Sequence, residues 1–156
     1  MTENVDKKQV MSDGSQVMSD GSNETNFPDL KGVFNARDAT LIYYESFGKG
    51  TPLILCYGLL CRREHWRHQL KHFMKSYRVI QFDYRGHHCS SRPANDRHMT
   101  LKWCANDIED LMDHLKLDQA ICVGHSMGVP VLTHLLPNET KRVRATVFVC
   151  GAVTNP

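Results

Sequence analysis

Apolar residues along this chain fall into two patterns that alternate from residue 33 onward. Residues 33–36 and 40–44 are rich in β-branched and aromatic side chains and flank a polar turn at 37–39, which predicts a β-hairpin. Further strand-like runs follow at residues 52–56, 77–82, 119–123 and 145–150. Short apolar runs of this kind are typical of parallel strands whose two faces are both covered.

Between these runs, apolar side chains recur every three or four positions, which is the period of an amphipathic helix. The first such stretch predicts a helix over about residues 63–75. The second predicts a helix that begins after Thr100, a residue type favoured at helix N-caps, and ends near Lys116. The third predicts a helix that ends near Leu136. A hairpin followed by alternating strands and helices indicates an α/β fold with a mainly parallel sheet of about six strands.

The first 26 residues differ from the rest because they carry few apolar side chains. They contain a perfect tandem repeat, in which QVMSDGS at residues 9–15 recurs at 16–22. Such a segment cannot bury enough apolar surface to offset the entropy that it loses on ordering. We therefore predict a disordered tail over residues 1–26 and a folded part over residues 27–156.

The composition is that of an ordinary globular domain, with a formal net charge of +2 and a hydrophobic fraction of 41%. This small charge gives no indication of a nucleic-acid partner. No apolar run approaches the roughly 18 residues of a membrane span, and the polar N-terminus lacks the apolar core of a signal peptide. We therefore expect no membrane partner and a cytoplasmic location.

The six cysteines could indicate disulfides or a metal site, but no C-x-x-C pair is present. Cys56, Cys122 and Cys150 fall in apolar runs predicted to be buried strands, where free thiols behave as small apolar residues. His68 and His72 have the i, i+4 spacing of a helical metal site, yet no third ligand is near them in the sequence. We therefore predict free thiols in a reducing compartment, with no metal and no cofactor.

A chemical signal stands between the strand predicted at 119–123 and the third helix, where the sequence reads Gly124-His125-Ser126-Met127-Gly128. A serine hydroxyl is a weak nucleophile unless a sharp turn exposes it to a base and leaves the next backbone N–H free to hold an oxyanion. Glycines two positions before and after the serine permit such a turn. The pattern predicts a nucleophile elbow centred on Ser126.

From about residue 33 to residue 151, the sequence resembles the N-terminal half of an α/β-hydrolase fold protein of the esterase and lipase-like group. Three motifs in family order carry the resemblance. They are the elbow itself, the strand and loop at residues 52–59, and DYRGHHCS at residues 83–90, which is similar to the D-x-R-G-H-G-x-S loop of the group.

The resemblance implies a role for each matching residue. Ser126 matches the nucleophile, and the backbone N–H groups of Leu59 and Met127 match the two donors of the oxyanion hole. His125 is implied to shape the elbow without acting as the base. Two residues depart from the family pattern: Tyr57 stands where the loop usually has His, and His88 replaces a Gly, at a steric cost if that backbone needs positive φ.

The rest of a catalytic triad is not apparent in this chain. In the family the acid and the histidine follow the serine, on loops after later strands. His134 is the only histidine after Ser126 and is predicted inside the third helix, while Glu139 is predicted in the loop before the last strand. We therefore expect the N-terminal half of a serine hydrolase for a small ester-like or other acyl substrate, without lid or late strands and inactive alone.

Two alternatives remain open from the sequence. The chain could be a non-catalytic binding module that retains half of the fold, or a half that a second polypeptide complements with the acid and the base. The strand predicted at 145–150 is apolar and free of charge, so as an exposed edge it is expected to pair with another copy or with a complementing chain.

Overall fold

The structure, a computed structural model, describes residues 27–139 and 141–153. The predicted disordered tail and its repeat therefore lie outside the described residues. Within them, the predicted α/β fold is confirmed, with six strands and three α-helices. No helix in this described part is both long and apolar enough to cross a bilayer.

One mixed sheet contains all six strands, in the order β1-β2-β4-β3-β5-β6. The predicted hairpin pairs β1 with β2, β2 is also antiparallel to β4, and the remaining neighbours are parallel. The strand bounds are β1 Leu30–Asn35, β2 Leu41–Phe47, β3 Thr51–Cys56, β4 Tyr77–Phe82, β5 Ala120–His125 and β6 Val143–Val149.

Three α-helices connect the parallel strands: α1 Arg67–Phe73, α2 Leu101–His114 and α3 Gly128–Glu139. The predicted first helix is shorter than expected because its first turn, Arg63–Trp66, is a 3-10 helix. The predicted N-cap of α2 is confirmed, since the Thr100 hydroxyl accepts a hydrogen bond from the Trp103 N–H at 3.3 Å. Helix α3 ends at Glu139, beyond the predicted end near Leu136. The helix tolerates Pro137 in its last turn, because the missing N–H there removes only one helical hydrogen bond.

The last strand begins earlier and ends earlier than the sequence predicts. It starts at Val143, which pairs with Ala120, and a register shift then places Ala145 opposite Ile121. Arg144 lies in this irregularity, so the strand is not free of charge as expected. Cys150, expected inside the strand, follows it instead with φ of 48° and is exposed, because the chain turns away there.

The core lies between the sheet and the helices that cover it. Helix α1 packs against β4, and α3 packs against α2, β5 and β6. Residues with no exposed surface include apolar side chains of the sheet, of α2 and of α3, among them Ile42, Ile54, Ile80, Ile108, Leu111, Met112 and Leu132. Burial on both faces of β3 explains why this strand is almost continuously apolar.

A buried charge cluster fixes the loop that follows β4. The Arg85 guanidinium is fully buried and forms two hydrogen bonds to Asp107 on α2, at 2.8 and 2.5 Å, and one to Asp38 in the hairpin turn at 2.9 Å. Burial alone raises the pKa of Asp38, but hydrogen bonds from Arg85, Thr40 and His98 outweigh it and hold this pKa well below its usual range. The stabilisation from Asp38 is therefore present above pH about 4 and is lost on acidification.

Replacing Arg85 by leucine should destabilise the fold strongly, because the buried Asp107 carboxyl and Asp38 would both lose the guanidinium that compensates their burial. The expected loss in the free energy of unfolding is about 3–5 kcal/mol. Arg92→Leu is the matched control, since the Arg92–Asp96 pair is largely exposed and should contribute no more than about 0.5 kcal/mol. Urea denaturation of both variants tests this, and equal losses would contradict it.

Candidate active site

The predicted elbow is a sharp turn between β5 and α3. Ser126 has φ of 51°, in the left-handed region, which costs a residue with a side chain roughly 1–2 kcal/mol. Two hydrogen bonds hold the turn: the Ser126 N–H donates to the Val149 carbonyl at 3.0 Å, and the Ser126 carbonyl accepts from the Val129 N–H at 3.0 Å. The Ser126 side chain is exposed at the apex of this turn.

The two glycines of the motif lie where three backbone segments come into contact. A Cβ on Gly124 would stand 2.6 Å from the Gly128 carbonyl oxygen, and a Cβ on Gly128 would stand 2.4 Å from the carbonyl oxygen of Cys56 on β3. Any side chain at either position would overlap backbone atoms. The spacing of the motif thus follows from the close packing of β3, β5 and α3.

The loop after β3 lies directly against the serine. A Cβ on Gly58 would stand 2.9 Å from the Ser126 Cβ, so Leu59 follows a residue in contact with the nucleophile candidate. Leu59 and Met127, whose N–H groups were predicted to form the oxyanion hole, line one pocket of about 280 Å³. The structure therefore brings the three predicted residues Leu59, Ser126 and Met127 to one place.

The other lining residues of this pocket are Arg85, His87, Met99, Thr100, Leu101 and Cys104. A larger concavity of about 440 Å³ lies near the opposite end of β5, lined in part by Lys116, Asp118 and Arg142. It contains none of the predicted site residues, whereas Leu59 and Met127 both line the smaller pocket.

The two departures from the family pattern both have structural partners. The buried Tyr57 hydroxyl donates to the Asp83 carboxylate at 3.3 Å and accepts from the Tyr84 N–H at 3.2 Å, which ties the loop after β3 to the loop after β4. Burial raises the pKa of Tyr57 above its ordinary value. His88 has φ of 44°, so the expected steric cost is present, and its Nε2 lies 2.9 Å from the Cys61 carbonyl.

The described residues place no histidine as a base for Ser126. Their imidazole hydrogen bonds go to Arg85, Cys61, Asn95, Asp38 and Tyr44. His134 lies half-buried on α3, as predicted. Glu139 is the last residue of α3 rather than part of a loop, and its carboxylate lies 3.5 Å from Arg142.

One grouping of side chains was missed by the sequence analysis. The potential ligand atoms of Cys61, His65 and His125 lie within 4.8 Å of one another. Cys61 and His65 are four positions apart in the sequence, which could have been noticed, but His125 joins them only in the fold. His68 and His72 are both exposed on α1.

Comparison with known proteins identifies the family. The sequence profile described as the alpha/beta hydrolase fold matches residues 51–156. The chain belongs to this family. Among curated relatives, the α/β-hydrolase chain is 35% identical over 109 residues to a putative non-heme chloroperoxidase of Synechocystis sp., covering 69% of this chain and 39% of the relative. It is 34% identical over 87 residues to epoxide hydrolase 4 of Mus musculus, covering 55% of this chain and 24% of that protein.

Solved structures of α/β-hydrolases superpose on most of this chain. Est816, described as an N-acyl homoserine lactone degrading enzyme, has a TM-score of 0.70 at 30% identity and covers 76% of this chain and 44% of its own. The esterase EaEST from Exiguobacterium antarcticum has a TM-score of 0.73 at 28% identity, with coverages of 79% and 46%. The chain thus spans less than half the length of each of these relatives.

Replacing Ser126 by glycine should stabilise the fold relative to replacing it by alanine. Both changes remove the hydroxyl, but only glycine adopts the left-handed conformation without steric cost, which should give a difference of about 1 kcal/mol. Chemical denaturation of the two variants measures it. The control is the same pair of changes at Ser76, whose φ is not positive and where glycine should give no advantage. An advantage at both positions would contradict the strain at Ser126.

Proposed function

We propose that this chain contributes the nucleophile and the oxyanion hole of a serine hydrolase that acts on a small ester-like or other acyl substrate. The observation that carries the proposal is the strained, exposed Ser126, held against the loop that contains Leu59. A serine at left-handed φ carries a steric cost of roughly 1–2 kcal/mol. Strain of this kind is concentrated at functional sites.

In the proposed reaction, the Ser126 hydroxyl oxygen attacks the acyl carbon while its proton passes to a general base. The carbonyl oxygen becomes an oxyanion and accepts hydrogen bonds from the N–H groups of Leu59 and Met127. Collapse of this intermediate expels the leaving group, which takes up the proton, and leaves an acyl-serine. Water, deprotonated by the same base, then releases the acid and regenerates the hydroxyl.

The base and its orienting acid belong, in this proposal, to a part of the hydrolase outside the described residues, either in a longer polypeptide or in a second chain. The coverage supports this division, because this chain matches less than half of each relative reported above. The relatives' names include a chloroperoxidase, an epoxide hydrolase, an esterase and a lactone-degrading enzyme. Because one fold hosts these different reactions, we propose only a class of substrate, the acyl compounds, and no individual substrate.

Free thiols support a cytoplasmic location for this hydrolase. All six cysteines are free, and burial raises the pKa of Cys122 to about 12, so this thiol stays protonated and inert. Exposed thiols such as Cys89 persist in reducing compartments rather than in oxidising ones. This location is part of the proposal.

The 156-residue chain alone should hydrolyse p-nitrophenyl acetate only weakly. Without a base, the oxyanion hole and binding leave only a rate enhancement on the order of 10³–10⁴-fold over water. Steady-state turnover of the wild type and of Ser126→Ala, with Ser76→Ala as a control at an exposed serine outside the elbow, measures the contribution of the hydroxyl. A fast steady state that depends on Ser126 would place a base in this chain and contradict the division.

We also propose that β6 pairs with another chain or with the remaining part of the fold. It is the last strand of the sheet in the described residues, and Val147 and Phe148 on it are 48% and 42% exposed. Arg144 and the register shift blunt only the beginning of the strand, because charges and bulges discourage pairing where they occur. The pairing surface is therefore residues 145–149.

Val147→Lys should reduce self-association of the 156-residue chain, because a charge in the middle of an edge strand opposes pairing with a second strand. Size-exclusion chromatography with light scattering compares the two proteins, and Val33→Lys on β1, the other edge strand, is the control. A stable monomer for the wild type would count against the pairing and would favour the alternative of a binding module.

A further inference from the structure

A cluster of three potential metal ligands includes one residue of the elbow, His125. Cys61 lies in the loop that contains Leu59, His65 lies in the 3-10 turn before α1, and His125 is the residue before Ser126. One thiol sulfur and two imidazole nitrogens, one from each residue, lie within 4.8 Å of one another. None of these three side chains has a role in the proposed acyl transfer.

The Nδ1 atom of His125 gives a second, independent observation. It is buried and has no hydrogen-bond partner among the described residues. An unpaired polar atom in such a position carries a desolvation cost of about 1–3 kcal/mol. The His125 ring also contacts two aromatic neighbours, since its centroid lies 5.0 Å from that of His65 in a stacked arrangement and 6.2 Å from that of Trp66 in an edge arrangement.

The loop that carries the thiol is fixed as well. The Cys61 N–H donates to the Gly58 carbonyl at 3.1 Å, and its carbonyl lies 2.9 Å from the His88 Nε2. His88 stands where the family motif has glycine. Its backbone has positive φ, and in this conformation its side chain reaches the Cys61 carbonyl. The Cys61 sulfur and the His125 imidazole therefore approach each other from two anchored segments.

We infer that Cys61, His65 and His125 form a binding site for a zinc-class divalent transition-metal ion. Thiolate and imidazole are the ligands that such ions prefer, and three protein ligands leave a fourth position for water. Zinc at about 2.3 Å from sulfur and about 2.0 Å from nitrogen separates its tetrahedral ligand atoms by roughly 3.3–3.6 Å. The side chain of His65 is exposed and Cys61 is half-buried, so both have room to rotate toward this geometry when an ion binds.

An ion at this site would connect the loop that carries Leu59 to the elbow that carries Ser126. Binding consequently holds the two predicted oxyanion donors at a fixed separation without taking part in the reaction. The proposed metal site does not depend on the proposed acyl transfer, since none of its three side chains takes part in that reaction. It differs from the expectation from sequence that the chain has no metal site.

Cobalt(II) added to the 156-residue chain under a non-thiol reductant tests the inference directly. We expect a thiolate-to-cobalt charge-transfer band and intense tetrahedral d–d bands that saturate at a single ion per chain and disappear when zinc is added. Cys61→Ser should abolish the charge-transfer band. His65→Gln, at an exposed position that the fold tolerates, should weaken binding by at least about tenfold.

Matched controls use equivalent side chains outside the cluster. Cys89→Ser removes an exposed thiol and His68→Gln removes an exposed imidazole from α1, and both should bind cobalt like the wild type. The inference is overturned if the folded wild type gives no thiolate band, if the band persists unchanged in Cys61→Ser, or if the urea-unfolded chain binds with equal affinity.

Discussion

The close approach of three backbone segments at the elbow is the constraint on which the rest of the site depends. Gly128 meets the Cys56 carbonyl and Gly124 meets Gly128 so tightly that neither position has room for a Cβ. This contact fixes where β3 ends relative to α3, and it brings Gly58 against Ser126. The position of the Leu59 loop, and the pocket beside it, both follow from the contact between these glycines.

The conformation of Ser126 also depends on the strand at the edge of the described sheet. Its N–H donates to the carbonyl of Val149, the last residue of β6, so the strained turn is held by a strand with one neighbour. Pairing along the free side of β6 would therefore do more than cover Val147 and Phe148. It would also stabilise the hydrogen bond that keeps the nucleophile candidate at positive φ.

A second set of interactions positions the loop after β4. The buried guanidinium of Arg85 joins Asp38 and Asp107, while Asp83 accepts from the Tyr57 hydroxyl and from the Cys89 N–H. Charged groups without exposed surface are stable only with such partners, because desolvation alone opposes their burial. The DYRGHHCS motif is thus a structural connection between the hairpin, α2 and the loop after β3, and its histidines contact the Arg85 and Cys61 carbonyls.

Much of the fold and the centre of the site could be predicted from the sequence. Apolar periodicity located the strands and helices, since each element must bury one face or both, and the elbow motif located Ser126 because only glycine fits at Gly124 and Gly128. Tertiary structure decided what local patterns do not contain. The register shift at Arg144 depends on how β6 pairs with β5. Tyr57 connects two loops through its hydroxyl. His125 lies near Cys61 and His65 because the parallel strands β3 and β5, distant in sequence, are neighbours in the sheet. Such contacts depend on how segments pack together, so no single stretch of the chain specifies them.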